Sequence, residues 1–132
     1  MNRVREVLDI VSRADALGQY DHNLLGMAGV IIAEEDFGME RVPAGAWGID
    51  GFWFRDGERR RVQVKAWSQN RIAHYGEDAK SRITPGKTDD LLVLLIDAGG
   101  YKVLYSGSAD DVGRLGSVKR VKYRFIEYDD FK

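Results

Sequence analysis

Apolar residues fall near a 3.6-residue period from the start of the chain. Val4, Leu8, Ile10, Val11 and Leu17 predict a first helix over residues 2–16, which Gly18 ends. A second helix is expected to begin near His22-Asn23, with Asn23 as its cap, and to stop at Phe37-Gly38. Its apolar positions are Leu24, Leu25, Met27, Val30, Ile31 and Ala33. Gly26 and Gly29 lower its helix propensity by up to ~1 kcal/mol each and offer instead a close approach to another element. After Gly38 the period changes to two. Met39–Val42 reads as a short strand broken by Pro43-Ala44-Gly45. Gly48–Arg55 and Glu58–Trp67 read as two strands joined at Asp56-Gly57, a pair suited to a two-residue hairpin turn.

Residues 68–90 are polar and contain Pro85-Gly86, which predicts a loop with a helical turn around Glu77–Ser81. Leu91–Ile96 is apolar on both faces, as a strand covered on each side requires. Tyr101–Ser106 is expected as a strand, Ser108–Leu115 as a short helix capped by Ser108, and Val118–Tyr128 as a last strand. The order implies a single domain over residues 1–132 of α/β (α+β) class, built on a mixed β-sheet flanked by helices.

Composition narrows the chemistry. The 132 residues include no cysteine and two histidines, which excludes disulfide scaffolds, thiol nucleophiles and cysteine–zinc sites. A metal would have to sit on oxygen ligands, which selects a hard ion such as Mg²⁺ or Mn²⁺. A net charge of -1 excludes a globally basic nucleic-acid coat. Basic residues nevertheless cluster from Arg55 to Arg71 and from Arg114 to Arg124, which allows a local basic surface. No apolar run approaches the ~18–20 residues of a membrane span, and no signal-peptide pattern opens the chain. A cytoplasmic location with no membrane partner is therefore expected.

The hairpin concentrates the candidate chemistry. With Asp56-Gly57 as the turn, Arg55 faces Glu58 and Asp50 falls opposite Gln63; a slip of one residue at both ends sets Asp50 opposite Lys65. In either register the alternation puts Asp50, Gln63 and Lys65 on one face, within about 5–8 Å across the strands. Val62, Val64 and Ala66 point the other way, into a core. A single bulge would break this arithmetic. Three polar groups on one face also describe a wet sheet surface. Phe52, Phe54 and Trp67 share that side and are expected to be covered.

The segment Gly48-Ile49-Asp50-Gly51, followed by Val62-Gln63-Val64-Lys65, resembles the core of the PD-(D/E)XK nuclease superfamily, and most closely the Mrr-type restriction enzymes, in which glutamine replaces the acid before x-Lys. The resemblance covers residues 23–67 well, and the strands at 91–96 and 101–106 loosely. It implies a restriction-endonuclease-like core of helix, three strands, helix and strand, and a metal-dependent endonuclease acting on DNA. Asp50, Gln63 and Lys65 would be catalytic. Asp50, the Gln63 amide and the Val64 carbonyl would hold Mg²⁺ or Mn²⁺, and Lys65 would orient the attacking water. Members often carry a helix glutamate where this chain has Gly29 and Val30; Glu34 follows a turn later as the substitute ligand. With acids partly lost, the same fold would serve as a binding or interaction module without activity.

Arg61, Ser68, Gln69, Arg71 and His74 are the candidates for contact with a DNA backbone, against the plainer reading of a solvated hairpin end and loop. His22 reads as a surface or capping residue rather than a base. Trp47, Trp53 and Trp67 read as core residues. Many domains of the resembling kind pair as a homodimer.

Overall fold

A computed structural model describes residues 2–18, 22–43, 49–68, 80–83, 87–97, 99–112, 114–115, 124–127 and 131. Helix α1 spans Arg3–Ala16, and the Asn2 side chain caps it by accepting from the Arg5 N–H at 3.2 Å. Its buried residues are Val4, Val7, Leu8 and Val11, a stripe at i, i+3, i+4 and i+7. Ile10 and Leu17 belong to the apolar pattern but face solvent. Helix α2 spans His22–Phe37, so Asn23 lies inside its first turn and is not its cap. Gly38, at φ 70°, ends it as the sequence predicts.

Strands β1 (Glu40–Arg41), β2 (Gly51–Arg55), β3 (Glu58–Ser68), β5 (Asp90–Asp97) and β6 (Gly100–Ser108) form one sheet in the order β1-β2-β3-β5-β6. Neighbours are antiparallel except β3 and β5, which run parallel and so need a long crossover. Strands β4 (Lys80–Ile83), β7 (Arg114–Leu115) and β8 (Arg124–Glu127) form a second sheet in the order β4-β8-β7. The class is mixed α+β, with two helices packed on a five-stranded mixed sheet.

The hairpin forms where the sequence places it. Asp56 and Gly57 take φ of 53° and 80°, the conformation of a type I′ turn, and Arg55 pairs with Glu58. Strand β5 separates two cores. Leu92, Leu94 and Ile96 join Val62, Val64, Ala66 and both helices on one side. Leu91, Val93 and Leu95 join Trp67 and Ala109 on the other, with Tyr105 and Phe131 against them. Burial of each such side chain stabilises by about 1.5–3 kcal/mol. Helix α2 sits close on β3: a Cβ at Gly29 would stand 3.2 Å from both Ala66 and Val64. Gly29→Val is therefore expected to destabilise the fold by about 2 kcal/mol through overpacking, read as a lower midpoint in urea unfolding.

The helix predicted over Ser108–Leu115 is a 3₁₀ turn at Ala109–Asp111, capped by the Ser108 side chain, and Arg114–Leu115 is strand. Gly113 and Gly116 leave too few good helix formers for a nucleus. Lys80 and Ser81 lie in β4 rather than in a helical turn, because pairing with β8, more than forty residues away in sequence (Lys80↔Glu127), decides their conformation; residues 77–79 lie outside the described set. Of the aromatics expected under cover, Trp67 is fully buried and the Arg59 guanidinium lies 3.9 Å over the Phe52 ring, but Phe54 is exposed. Trp53 is a core residue as expected, and Trp47 lies outside the described residues.

Candidate functional site

Asp50 stands where β2 gives out beside β3. Gly51 pairs with Val62, and the Asp50 N–H also donates to the Val62 carbonyl, at 2.9 Å. Two consecutive residues of one strand are thus served by one residue of the other, which makes Asp50-Gly51 a β-bulge. The Asp50 carbonyl accepts from the Val42 N–H at 3.1 Å, and its carboxylate Oδ2 accepts from the Val64 N–H at 2.7 Å. The carboxylate therefore takes the ladder position that a strand carbonyl would fill, and three hydrogen bonds fix the residue.

The bulge changes the expected geometry. Asp50 sits at the sheet margin in line with the ladder and lines a cleft with Val64 on the α2 side. Gln63 and Lys65 alternate to the opposite face from Val64, so the three polar side chains do not stand on one face. Lys65 remains electrostatically coupled to Asp50. Burial pushes the Asp50 carboxyl above its ordinary pKa, and it does so against the Val64 N–H and the charges of Lys65 and Arg41, which all pull downward. The anion is undercompensated. By the ladder's alternation, Val64 directs its carbonyl the same way as Val62, toward β2. Gln63 accepts from the Thr88 hydroxyl at 3.3 Å. The Asp50 carboxylate and the Val64 carbonyl are oxygen donors that suit Mg²⁺ or Mn²⁺ in kind, and an undercompensated carboxylate favours a cation beside it. Among the described residues, no three of His, Asp and Glu are grouped to hold a metal.

Glu34 forms ion pairs with Arg3 and Arg41 and does not line the cleft that contains Asp50. Arg61 is gripped by Asp89, which accepts from Nε and Nη2 at 3.0 Å each and from the backbone N–H at 2.8 Å. Its charge is already matched. Ser68 is 1% exposed at the end of β3. Gln69, Arg71 and His74 lie outside the described residues. The Arg61 guanidinium holds the Asp89 carboxyl down to about 2, below its ordinary 3.8. A depressed carboxyl stabilises the fold fully above its unfolded value and loses that contribution as pH falls through the folded one. The advantage of wild type over Asp89→Asn in thermal melts is therefore expected to shrink from about pH 4 downward and to vanish only below about pH 2.

Arg41 is the residue that sequence reasoning misses. It ends β1 opposite Gly51, lines the cleft with Asp50, and its charge acts on that carboxyl. The only sequence signal is one basic residue on a short strand, too common a pattern to single out. No protein-family model matches the chain, and a search of curated proteins finds no similar sequence. No helix among the described residues is long and apolar enough to cross a membrane.

Proposed function

We propose that the protein is a cytoplasmic, metal-dependent DNA phosphodiester hydrolase of the PD-(D/E)XK kind. The observation that carries this reading is Asp50: a carboxylate locked at a strand divergence, undercompensated by its surroundings, with Lys65 coupled to it. The meander β1–β2–β3 followed by the parallel β5 also agrees with the strand order that the sequence resemblance implies. Asp50 and the Val64 carbonyl would hold Mg²⁺ or Mn²⁺; the Gln63 amide, on the opposite face and bonded to Thr88, would not join them. When bound, that ion supplies Lewis acidity and offsets charge on the phosphate. Lys65 adds a positive charge near the reacting phosphate, where negative charge grows in the transition state, and can hold the attacking water by hydrogen bonding. The backbone hydrogen bonds to Asp50 keep its carboxylate oriented before substrate arrives, which lowers the reorganisation needed during reaction.

Plasmid nicking with Mn²⁺ tests this directly. Asp50→Ala and Lys65→Ala are each expected to lower the rate at least about tenfold. Equal rates in wild type and both variants would remove the assignment. A second reading, the same fold as a binding module without activity, is favoured by the pairing of Glu34 with Arg3 and Arg41, which leaves Asp50 as the sole carboxylate lining the cleft among the described residues. Calorimetric titration separates the two: the hydrolase binds Mn²⁺ in a manner that Asp50→Ala abolishes, and the module does not.

A further inference from the structure

The cleft beside Asp50 lies between α2 and the end of the β2–β3 pair and has a volume of about 540 Å³. That is within the range of small-molecule sites, roughly 300–1,000 Å³. Its walls mix apolar and polar surface: Met27 and Val30 stand on one side and Pro43 on the other, and the polar side chains are those of Asn23, Arg41 and Asp50. Gly26 borders it, and a Cβ added there would meet nothing within 4 Å. The helix is cut away where a side chain would fill the space. Arg41 gives one Nη2 contact to Glu34. A guanidinium carries five N–H donors, so others remain to form a fork onto a phosphate.

We infer that this cleft is a mononucleotide pocket, in which Arg41 takes the phosphate of one unstacked nucleotide and the wall of Met27, Val30 and Pro43 takes its base. The choice of ligand rests on the hydrolase reading; the shape and charge of the cleft stand without it. A base still stacked in a duplex cannot enter a cleft walled by a helix and a sheet, so the nucleotide reaches it from a strand end or a flipped position. Asp50 repels the phosphate when no cation lies between them. Neutralising that residue therefore strengthens metal-free binding, which a site built only around a cation would not show.

The test is calorimetry on the full chain, free of divalent ions, with thymidine 5′-monophosphate, thymidine and inorganic phosphate as probes. The monophosphate is expected to bind more tightly than either of the others. Arg41→Gln should weaken the monophosphate about tenfold or more and leave thymidine unchanged. Gly26→Leu should abolish monophosphate binding by filling the cleft, and Asp50→Asn should tighten it. Thermal melts of each variant control for folding, and Arg41 is exposed enough that its replacement keeps the proposal testable if Gly26→Leu misfolds. Inorganic phosphate binding as tightly as the monophosphate, or normal monophosphate binding by Arg41→Gln, would overturn the pocket. Nicking without monophosphate binding would sink the pocket alone; monophosphate binding without nicking would sink the hydrolase reading alone.

Discussion

Gly51→Ala is expected to lower stability by about 3 kcal/mol in urea unfolding, the upper end for adding one methyl group to a packed site. A Cβ at Gly51 would stand within van der Waals overlap of main chain, 2.4 Å from the Glu40 carbonyl oxygen, and 2.7 Å from Met39 Cγ. A flexible side chain can swing away from such a contact; a strand carbonyl cannot. Strand β1 would have to leave β2, and with it would go the pairing of Arg41 with Gly51. The bulge that fixes Asp50 shares this residue, so the nicking that the proposed function expects should fall together with stability. An unchanged denaturation midpoint would show that β1 moves without resistance.

Asp90→Ala should cost about 3 kcal/mol, the lower bound for breaking a buried ion pair by removing one partner. Asp90 is fully buried and opens β5 opposite Val62. Its Oδ2 accepts from Trp53 Nε1 at 2.6 Å, and its Oδ1 is contacted by Arg60 Nη2 at 3.0 Å and Arg55 Nη2 at 2.8 Å. Alanine would leave the indole N–H of a core tryptophan with no acceptor. The two guanidinium groups lose their partner as well, but both reach solvent and relax into it, which keeps the cost at the lower bound. Asp90→Asn retains an oxygen for Trp53 and should cost less. Equal unfolding free energies for wild type and Asp90→Ala would mean that the cluster contributes nothing, and hydrogen exchange along β5 would show whether its register on β3 depends on it.

Local signals were legible and remote ones were not. Asp56-Gly57 declares its turn because the dipeptide itself favours positive φ, and Val62, Val64 and Ala66 declare the inner face of β3 by alternation alone. The stripe of α1 and the glycine stop of α2 are equally local. Strand β4 was missed because its partner lies at the far end of the sequence. The position of Asp50 was misplaced for a subtler reason. Alternation assigns faces only while both strands advance one residue at a time, and the shared Val62 carbonyl inserts an extra residue at that point. Arg41 and Asp89 escaped because their roles depend on which strand ends meet, which no short window of sequence contains.

The outer border of the five-stranded sheet bears on how the molecule behaves at high concentration. Among the described residues strand β6 is the last in that sheet, and its nine residues are long enough to template addition of another extended chain. Its ladder with β5 is interrupted between Val93 and Leu94, and Lys102 faces solvent along it. A kinked rim carrying an ammonium group is a poor seed for intermolecular β-stacking.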